Sequence, residues 1–286
     1  MPIRRSPSVR AHQLAAQLRR LREVKGMTAE DVAERLSWSA SKMSRIETGK
    51  SRITVGDLRR LLDLYQVPAA RRDRLFELAR TADQRGWWDE YADLLRGSYS
   101  AIIELEAEAE SALQYQPSLV PGLLQTGAYM EEIIRSSLLV EPPGEVPQRV
   151  EVRLARQARL TGDEDPLELA AVLDEAVLHR QVGGPEVMRQ QLLHLVKMSA
   201  RPNITLQVLP FARGSHPAIV GGFTILRFPG EPESGVVFLE NMVSDLFIER
   251  DAQVHHYRLA FERVREMSLQ PEESVSFINQ IASQIK

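Results

Sequence analysis

The sequence predicts a protein of two domains, an all-α domain of five helices over residues 1–86 and an α+β domain over residues 87–286. A length of 286 residues favours two domains of ordinary size over a single one. The charge is divided in the same way: residues 1–86 hold 19 Lys and Arg against 10 Asp and Glu, a net +9. The remaining residues hold 17 against 29, a net −12. The hydrophobic period also changes from helical to strand-like near Leu167.

The first domain is expected to contain five amphipathic helices. The first runs over residues 9–25, where leucines recur at helical spacing, and Gly26 closes it. The fourth helix follows Thr54, and the fifth begins at Pro68 and runs to about Arg85. The inward face of the fourth helix is predicted to consist of Val55, Leu58, Leu62 and Tyr65.

The second and third helices fit a helix-turn-helix within residues 28–50. Counted from Ala29 as the first of twenty positions, Ala33 stands at the fifth, where a small residue lets the helices cross. Ser37 stands at the ninth, in the turn, where Gly is preferred because the backbone is unusual. The fifteenth and eighteenth positions hold the apolar anchors Met43 and Ile46. The polar residues Thr28 and Ser39 are expected to cap the starts of the two helices.

A helix-turn-helix in a basic segment predicts binding to double-stranded DNA. The residues expected to read bases lie on the third helix: Ser41, Lys42 and Arg45, with Ser44 projecting beside them. Arg45 suits this role because a guanidinium can form two hydrogen bonds to guanine. Phosphate contacts, which set register without reading sequence, are expected from Thr28, Ser39, Lys50 and Arg52. One recognition helix covers few base pairs, so a homodimer that reads two half-sites is also predicted.

The first half of the second domain is predicted to be helical. A helix over residues 98–114 carries glutamates that are expected to form two solvated ridges: Glu104, Glu106, Glu108 and Glu110. A proline-punctuated turn over 116–126 leads into an apolar helix to about Leu139. The next helix carries a basic stripe that consists of Arg149, Arg153 and Arg156. We expect this stripe to pair with the acidic helix or with a partner rather than to contact DNA.

The second half of this domain is predicted to hold strands at 167–173, 204–209, 222–228, 236–240 and 246–249. The first two are linked by a helix over 185–200, which predicts a parallel pair with a right-handed crossover. Short connections containing Gly and Pro predict antiparallel neighbours among the last four. Two helices, over 252–267 and 271–285, end the chain. The expected sheet is mixed and mostly antiparallel.

No constellation of residues predicts catalysis, a metal or a cofactor, so a non-enzyme is expected. No glycine-rich phosphate loop follows a strand, and Gly183-Gly184 is better explained as a turn. The histidines lack metal-ligand spacing with a carboxylate on one helical face: His12, His179, His194, His216, His255 and His256. Zero cysteines exclude disulfides and thiolate ligands. The polar loop Arg213–Pro217 follows a strand, where ligands often bind, but a structural loop is favoured.

The first domain resembles the Xre/lambda-repressor-type helix-turn-helix family through the stretch LRRLREVKGMTAEDVAERLSWSASKMSRIETGK. The resemblance implies a lambda-repressor-like fold for the five helices. Ala29 is a departure, since many members have Gln there, and it removes one familiar phosphate and base contact.

The second domain is similar to the C-terminal region of actinobacterial WhiJ-like regulators. The resemblance rests on VPGLLQTGAYM, RLARQARL, VLDEAVLHRQVGG, QLLHL, ITLQVLPFARGSHPAIVGGFTIL and VFLEN. It implies a transcription regulator that is often encoded beside a small partner protein and is sometimes described as antitoxin-like.

These observations predict a sequence-specific DNA-binding regulator whose acidic C-terminal domain binds a small partner protein or a ligand that modulates DNA binding. Two other classes stay open: a scaffold that uses the helical domain for protein contacts, and an enzyme fused to a DNA-targeting module. No apolar run approaches about 18 residues, and the N-terminus lacks the apolar region of a signal peptide. A cytoplasmic, nucleoid-associated protein with no membrane segment is therefore expected.

Overall fold

The computed structural model describes residues 9–81, 87–91, 94, 97–137, 144–229, 235–242 and 244–285. The chain divides into two compact units, Met1–Asp89 and Glu90–Lys286. None of the helices within the described ranges is both long and apolar enough to cross a membrane.

Helices build the described part of the first unit: α1 (Val9–Val24), α2 (Ala29–Leu36), α3 (Ala40–Glu47), α4 (Val55–Leu64) and α5 (Ala69–Thr81). They confirm the predicted all-α fold; the part of the fifth helix expected over residues 82–85 lies outside the described residues. Every helix contributes to one buried core, whose members include Leu18, Val32, Met43, Leu58 and Leu75.

The predicted inward face of α4 is wrong at one position. Leu58, Leu62 and Tyr65 are buried, but Val55 is 58% exposed. Val55 is the first helical residue after the N-cap Thr54, so it lies at the rim of the core although it shares the helical face of Leu58 and Leu62.

The second unit has more varied elements. Its helices are α6 (Gly97–Glu108), α7 (Gly127–Ser137), α8 (Glu145–Thr161), α9 (Glu175–His179), α10 (Gly184–Met198), α11 (Asp251–Met267) and α12 (Pro271–Gln284). Its strands are β1 (Ser111–Gln116), β2 (Glu168–Asp174), β3 (Ile204–Leu209), β4 (Phe223–Arg227), β5 (Val236–Leu239) and β6 (Leu246–Ile248). Short 3-10 helices lie at Trp87–Tyr91, Gly122–Leu124 and Phe211–Arg213.

The six strands form one mixed sheet in the order β3-β2-β1-β4-β5-β6. The β1–β2 and β2–β3 pairs are parallel, and the β1–β4, β4–β5 and β5–β6 pairs are antiparallel. One face of the sheet packs against α11 in a core that includes Leu113, Tyr115, Phe223, Val237 and Phe261. The predicted α+β domain with a mixed, mostly antiparallel sheet and C-terminal helices is confirmed.

The strand β1 corrects the helix that was predicted over residues 98–114. The helix ends at Glu108, and β1 begins at Ser111 and pairs with strands on both sides. The run of Glu and Ala before it favours helix, but the ladder bonds of two neighbouring strands outweigh that weak local preference. Because β1 and β2 lie between β3 and β4, the expected antiparallel contact between those two strands is also wrong.

The acidic ridges of α6 are a second correction. Glu104 and Glu106 are only 9% and 6% exposed, whereas they were expected to be solvated. Arg156 on α8 donates from Nε and Nη2 to the two carboxylate oxygens of Glu106, at 2.9 and 2.7 Å. A buried carboxylate is stable only when it is paired, and the basic stripe supplies the partner. The favoured pairing of the stripe with the acidic helix is thus confirmed at Arg156.

Candidate nucleic-acid interface

The turn between α2 and α3 is fixed by local hydrogen bonds. Thr28 caps α2: its hydroxyl accepts from the Asp31 amide at 3.1 Å, and its own amide donates to the Asp31 carboxylate at 2.8 Å. The bond from the Thr28 amide, with a smaller contribution from the Thr28 side chain, lowers the pKa of the Asp31 carboxyl. Ser37 has φ 55° and ψ 44°, the left-handed conformation expected at this position of the turn. The Trp38 amide then donates to the Ala33 carbonyl at 2.7 Å, which closes the end of α2.

The recognition helix α3 has one buried and one exposed face. Met43 and Ile46 are 0% and 4% exposed and anchor the helix to the core. The opposite face presents Ser41, Ser44 and Arg45, all exposed. The Arg45 guanidinium donates to the Ser41 hydroxyl at 2.8 Å, so two of the three side chains expected to read bases lie together one turn apart. This face offers hydrogen-bond donors to a partner.

Lys42 occupies a different environment from Arg45. Its ammonium lies 2.8 Å from Asp57 on α4 and 4.2 Å from the centre of the Trp38 ring. Burial of the Asp57 carboxyl opposes its ionisation, but hydrogen bonds from Lys42 and Thr54 outweigh this and lower the pKa of Asp57. Lys42 therefore ties α3 to α4, a contact that sequence spacing did not indicate.

The far end of α3 is held by an ion pair that sequence analysis also missed. Arg22 on α1 donates from Nε and Nη2 to the Glu47 carboxylate at 2.7 and 3.0 Å, and its Nη1 donates to the Met27 carbonyl at 2.7 Å. The two side chains are only 12% and 8% exposed. The hydrogen bonds to Glu47 raise the pKa of Arg22. Arg22 and Glu47 lie near the ends of α1 and α3, 25 positions apart, so no local pattern indicates the pair.

The residues expected to contact phosphate all lie on the surface. Ser39 caps α3 by accepting from the Lys42 amide at 3.1 Å, as Thr28 caps α2. A hydroxyl that accepts a cap bond still has its own hydrogen to donate, so both caps can also bind a phosphate oxygen. Lys50 and Arg52 are exposed in the segment after α3, which turns at Gly49 with φ 67°. Contact of each residue with DNA stays a prediction.

A separate polar cluster lies in the second unit. The Tyr115 hydroxyl is 3.3 Å from Nε2 of His216 and 3.5 Å from Oδ2 of Asp174. Burial and the Asp174 carboxylate raise the pKa of Tyr115, which keeps the phenol neutral. Asp174 also caps α9 through a 2.9 Å bond from the Ala176 amide. In the described part of the chain, no group of three ligand side chains is arranged to hold a metal.

Comparison with known protein families identifies both regions. Residues 13–75 match a family described as a helix-turn-helix domain. Residues 99–280, more than half of the chain, match the family described as a domain of unknown function, DUF5753. Searches of curated proteins and of solved structures return no significant match.

Proposed function

The chain belongs to the DUF5753 family, and from that domain behind an N-terminal helix-turn-helix domain we infer a sequence-specific DNA-binding transcription regulator. The observation that carries the inference is the exposed face of α3, where Ser41, Ser44 and Arg45 project from a helix whose other side is buried. A helix anchored in this way can enter the major groove of DNA while its buried side stays packed in the core of the first unit.

In this mechanism, α3 reads base edges and the flanking residues set the register. Arg45 and Ser41 contact bases directly, since a guanidinium discriminates guanine through two hydrogen bonds. Lys42 contributes as a base reader only if DNA displaces it from Asp57, whereas Thr28, Ser39, Lys50 and Arg52 bind phosphates. The net charge of +9 over residues 1–86 supports the phosphate contacts.

We also propose that the regulator acts as a homodimer of the Xre type on DNA half-sites one helical turn apart. The second domain has a net charge of −12 beyond residue 86, so it would be repelled by the phosphates of DNA. We therefore propose that it regulates DNA binding by the first domain. Its partner would be a small protein encoded by a neighbouring gene, as the likeness to WhiJ-like, antitoxin-like regulators implies, or a ligand. We assign it no catalytic role and expect it in the cytoplasm with the nucleoid.

The test is a fluorescence-anisotropy titration with DNA selected from a random library by the full-length protein. Arg45→Ala is expected to weaken binding to the selected site by roughly 1–3 kcal/mol and to relax its sequence preference. Arg80→Ala removes an exposed arginine from α5 of the same unit and should leave binding unchanged. Affinity that is insensitive to salt, or equal for wild type and Arg45→Ala, would support the scaffold alternative instead.

A further inference from the structure

The second unit contains a cavity of about 390 Å³, within the range of small-molecule sites. Its floor is the face of the sheet opposite α11. Gln114 on β1 pairs with Thr224 on β4, which pairs with Phe238 on β5, so the three side chains form a row across the sheet. Gln116 lies two residues along β1, on the same face. Two glutamines and a threonine therefore face a cavity from the centre of a sheet.

The wall of the cavity carries two arginines of the basic stripe, Arg153 and Arg156, in different surroundings. Arg156 is neutralised by Glu106 and also donates to the Tyr99 hydroxyl at 2.5 Å. Arg153, the preceding residue of the basic stripe, donates to the side-chain oxygen of Gln125 at 3.3 Å and lies 6.0 Å from the centre of the Tyr99 ring. Within the described residues no acid pairs with it.

The floor contains unused hydrogen-bonding groups. Thr224 is only 6% exposed, yet its hydroxyl has no partner among the residues that the structure describes. The side-chain amides of Gln114 and Gln116 are also without protein partners in that part of the chain. The cavity is open to solvent, so water can bond to these groups, and a bound molecule that displaced this water would take over the hydrogen bonds.

We propose that this cavity binds a small organic anion, with its carboxylate or phosphate on Arg153. The polar groups of the molecule bond to Gln114, Gln116 and Thr224, and its apolar part packs on Phe238. A guanidinium is the side chain best suited to grip either anion through paired hydrogen bonds. Glu240 also borders the cavity, but it is exposed and its charge is screened by water. The site deepens the proposed function by giving the regulatory domain a ligand class.

The experiment screens the full-length protein by thermal shift against organic carboxylates and phosphate esters, each paired with a neutral counterpart. Benzoate is paired with benzamide, and glucose 6-phosphate with glucose, so the arms separate carboxylate from phosphate recognition. Calorimetric titration then gives the affinity of the best anion. No DNA is present, so this result is independent of whether the protein binds an operator.

At least one anion is expected to stabilise wild type while its neutral counterpart does not. Arg153→Gln should weaken that binding at least about tenfold, the loss expected for one charge-assisted contact. Thr224→Val should weaken it less, and Glu240→Gln, which removes a negative charge from the same cavity, should not weaken it. Arg263→Gln on the exposed face of α11 is the surface control. Absence of any stabilising anion, equal effects of the neutral compounds, or full binding by Arg153→Gln overturns the proposal.

Discussion

Among the described residues, each unit has one arginine–carboxylate pair in which both side chains are at most 12% exposed, and the two pairs lie in different settings. In the first unit, Arg22 and Glu47 join residues 25 positions apart, and the remaining arginine donor bonds to a backbone carbonyl. In the second, Arg156 and Glu106 are 50 positions apart, and the remaining donor bonds to Tyr99 at the edge of a cavity. The first pair holds the end of α3, whose other face is exposed, and the second lies in the wall of a cavity that is open to solvent.

The two units also differ in where their polar side chains lie. On α3, the polar side chains other than Glu47 and Lys42 are exposed, and Lys42 is partly exposed beside Asp57. In the α+β unit, Gln114, Gln116 and Thr224 face inward without protein partners among the described residues. The exposed groups of the first unit lie on its surface, and the unpartnered groups of the second border a cavity of about 390 Å³.

The largest effect is expected from breaking the pair in the second unit. Glu106→Ala leaves Arg156 buried without a counter-charge and should lower the free energy of unfolding of that unit by roughly 3–5 kcal/mol. Chemical denaturation measures it, and DNA binding at low denaturant should persist because the first unit is unchanged. Glu106→Leu combined with Arg156→Met, which removes both charges, should recover most of the loss. A single change that costs below about 1 kcal/mol would mean that water already reaches Arg156.

Breaking the pair in the first unit should cost less. Glu47→Ala removes two charge-assisted hydrogen bonds, but Arg22 keeps its bond to Met27 and gains access to water. The expected loss is roughly 1.5–3 kcal/mol, with weaker DNA binding because the end of α3 is no longer held. The matched control is Glu23→Ala, since Glu23 is 3.9 Å from Arg22 and exposed. Equal effects of the two variants would show that Glu47 is not a brace.

The elements that were predictable from sequence are those whose causes are local. The caps Thr28 and Ser39 and the left-handed turn at Ser37 follow from residues within four positions of each other, and the structure shows them as expected. The outward face of α3 follows from the helical period alone.

The elements that were missed depend on distant partners. The segment Ser111–Gln116 becomes a strand because β2 and β4, far along the chain, pair with it. Its glutamines then face the cavity, which no local pattern indicates. Glu106 was expected to be solvated because its partner Arg156 is 50 positions away. The basic stripe is visible in the sequence, but its arginines differ only through distant partners. The sequence therefore does not show that Arg156 pairs with Glu106 while Arg153 bonds to Gln125.

A smaller loss of stability is expected from removing the cap of α3 than from breaking either ion pair. Ser39→Ala should lower the stability of the first unit by about 1 kcal/mol through loss of the bond to the Lys42 amide. Ser44→Ala, on the exposed face, should change it by less than about 0.5 kcal/mol. Ser39→Asp keeps a cap but replaces a donor with a negative charge, so stability should be retained while DNA affinity falls. If Ser39→Asp binds DNA as tightly as wild type, Ser39 does not contact phosphate.

The smallest effect is expected from the partly exposed ion pair between Lys42 and Asp57, and it depends on pH. The folded-state pKa of Asp57 is lowered, so the pair adds stability above the ordinary carboxyl pKa and loses it as pH falls through the folded value. Because Lys42 is 35% exposed, the contribution should stay below about 1 kcal/mol. Denaturation of wild type and Asp57→Asn should therefore differ at neutral pH, and the difference should shrink as the pH falls below about 4. A difference that is constant with pH would mean that the charge of Asp57, and with it the pair with Lys42, does not stabilise the first unit.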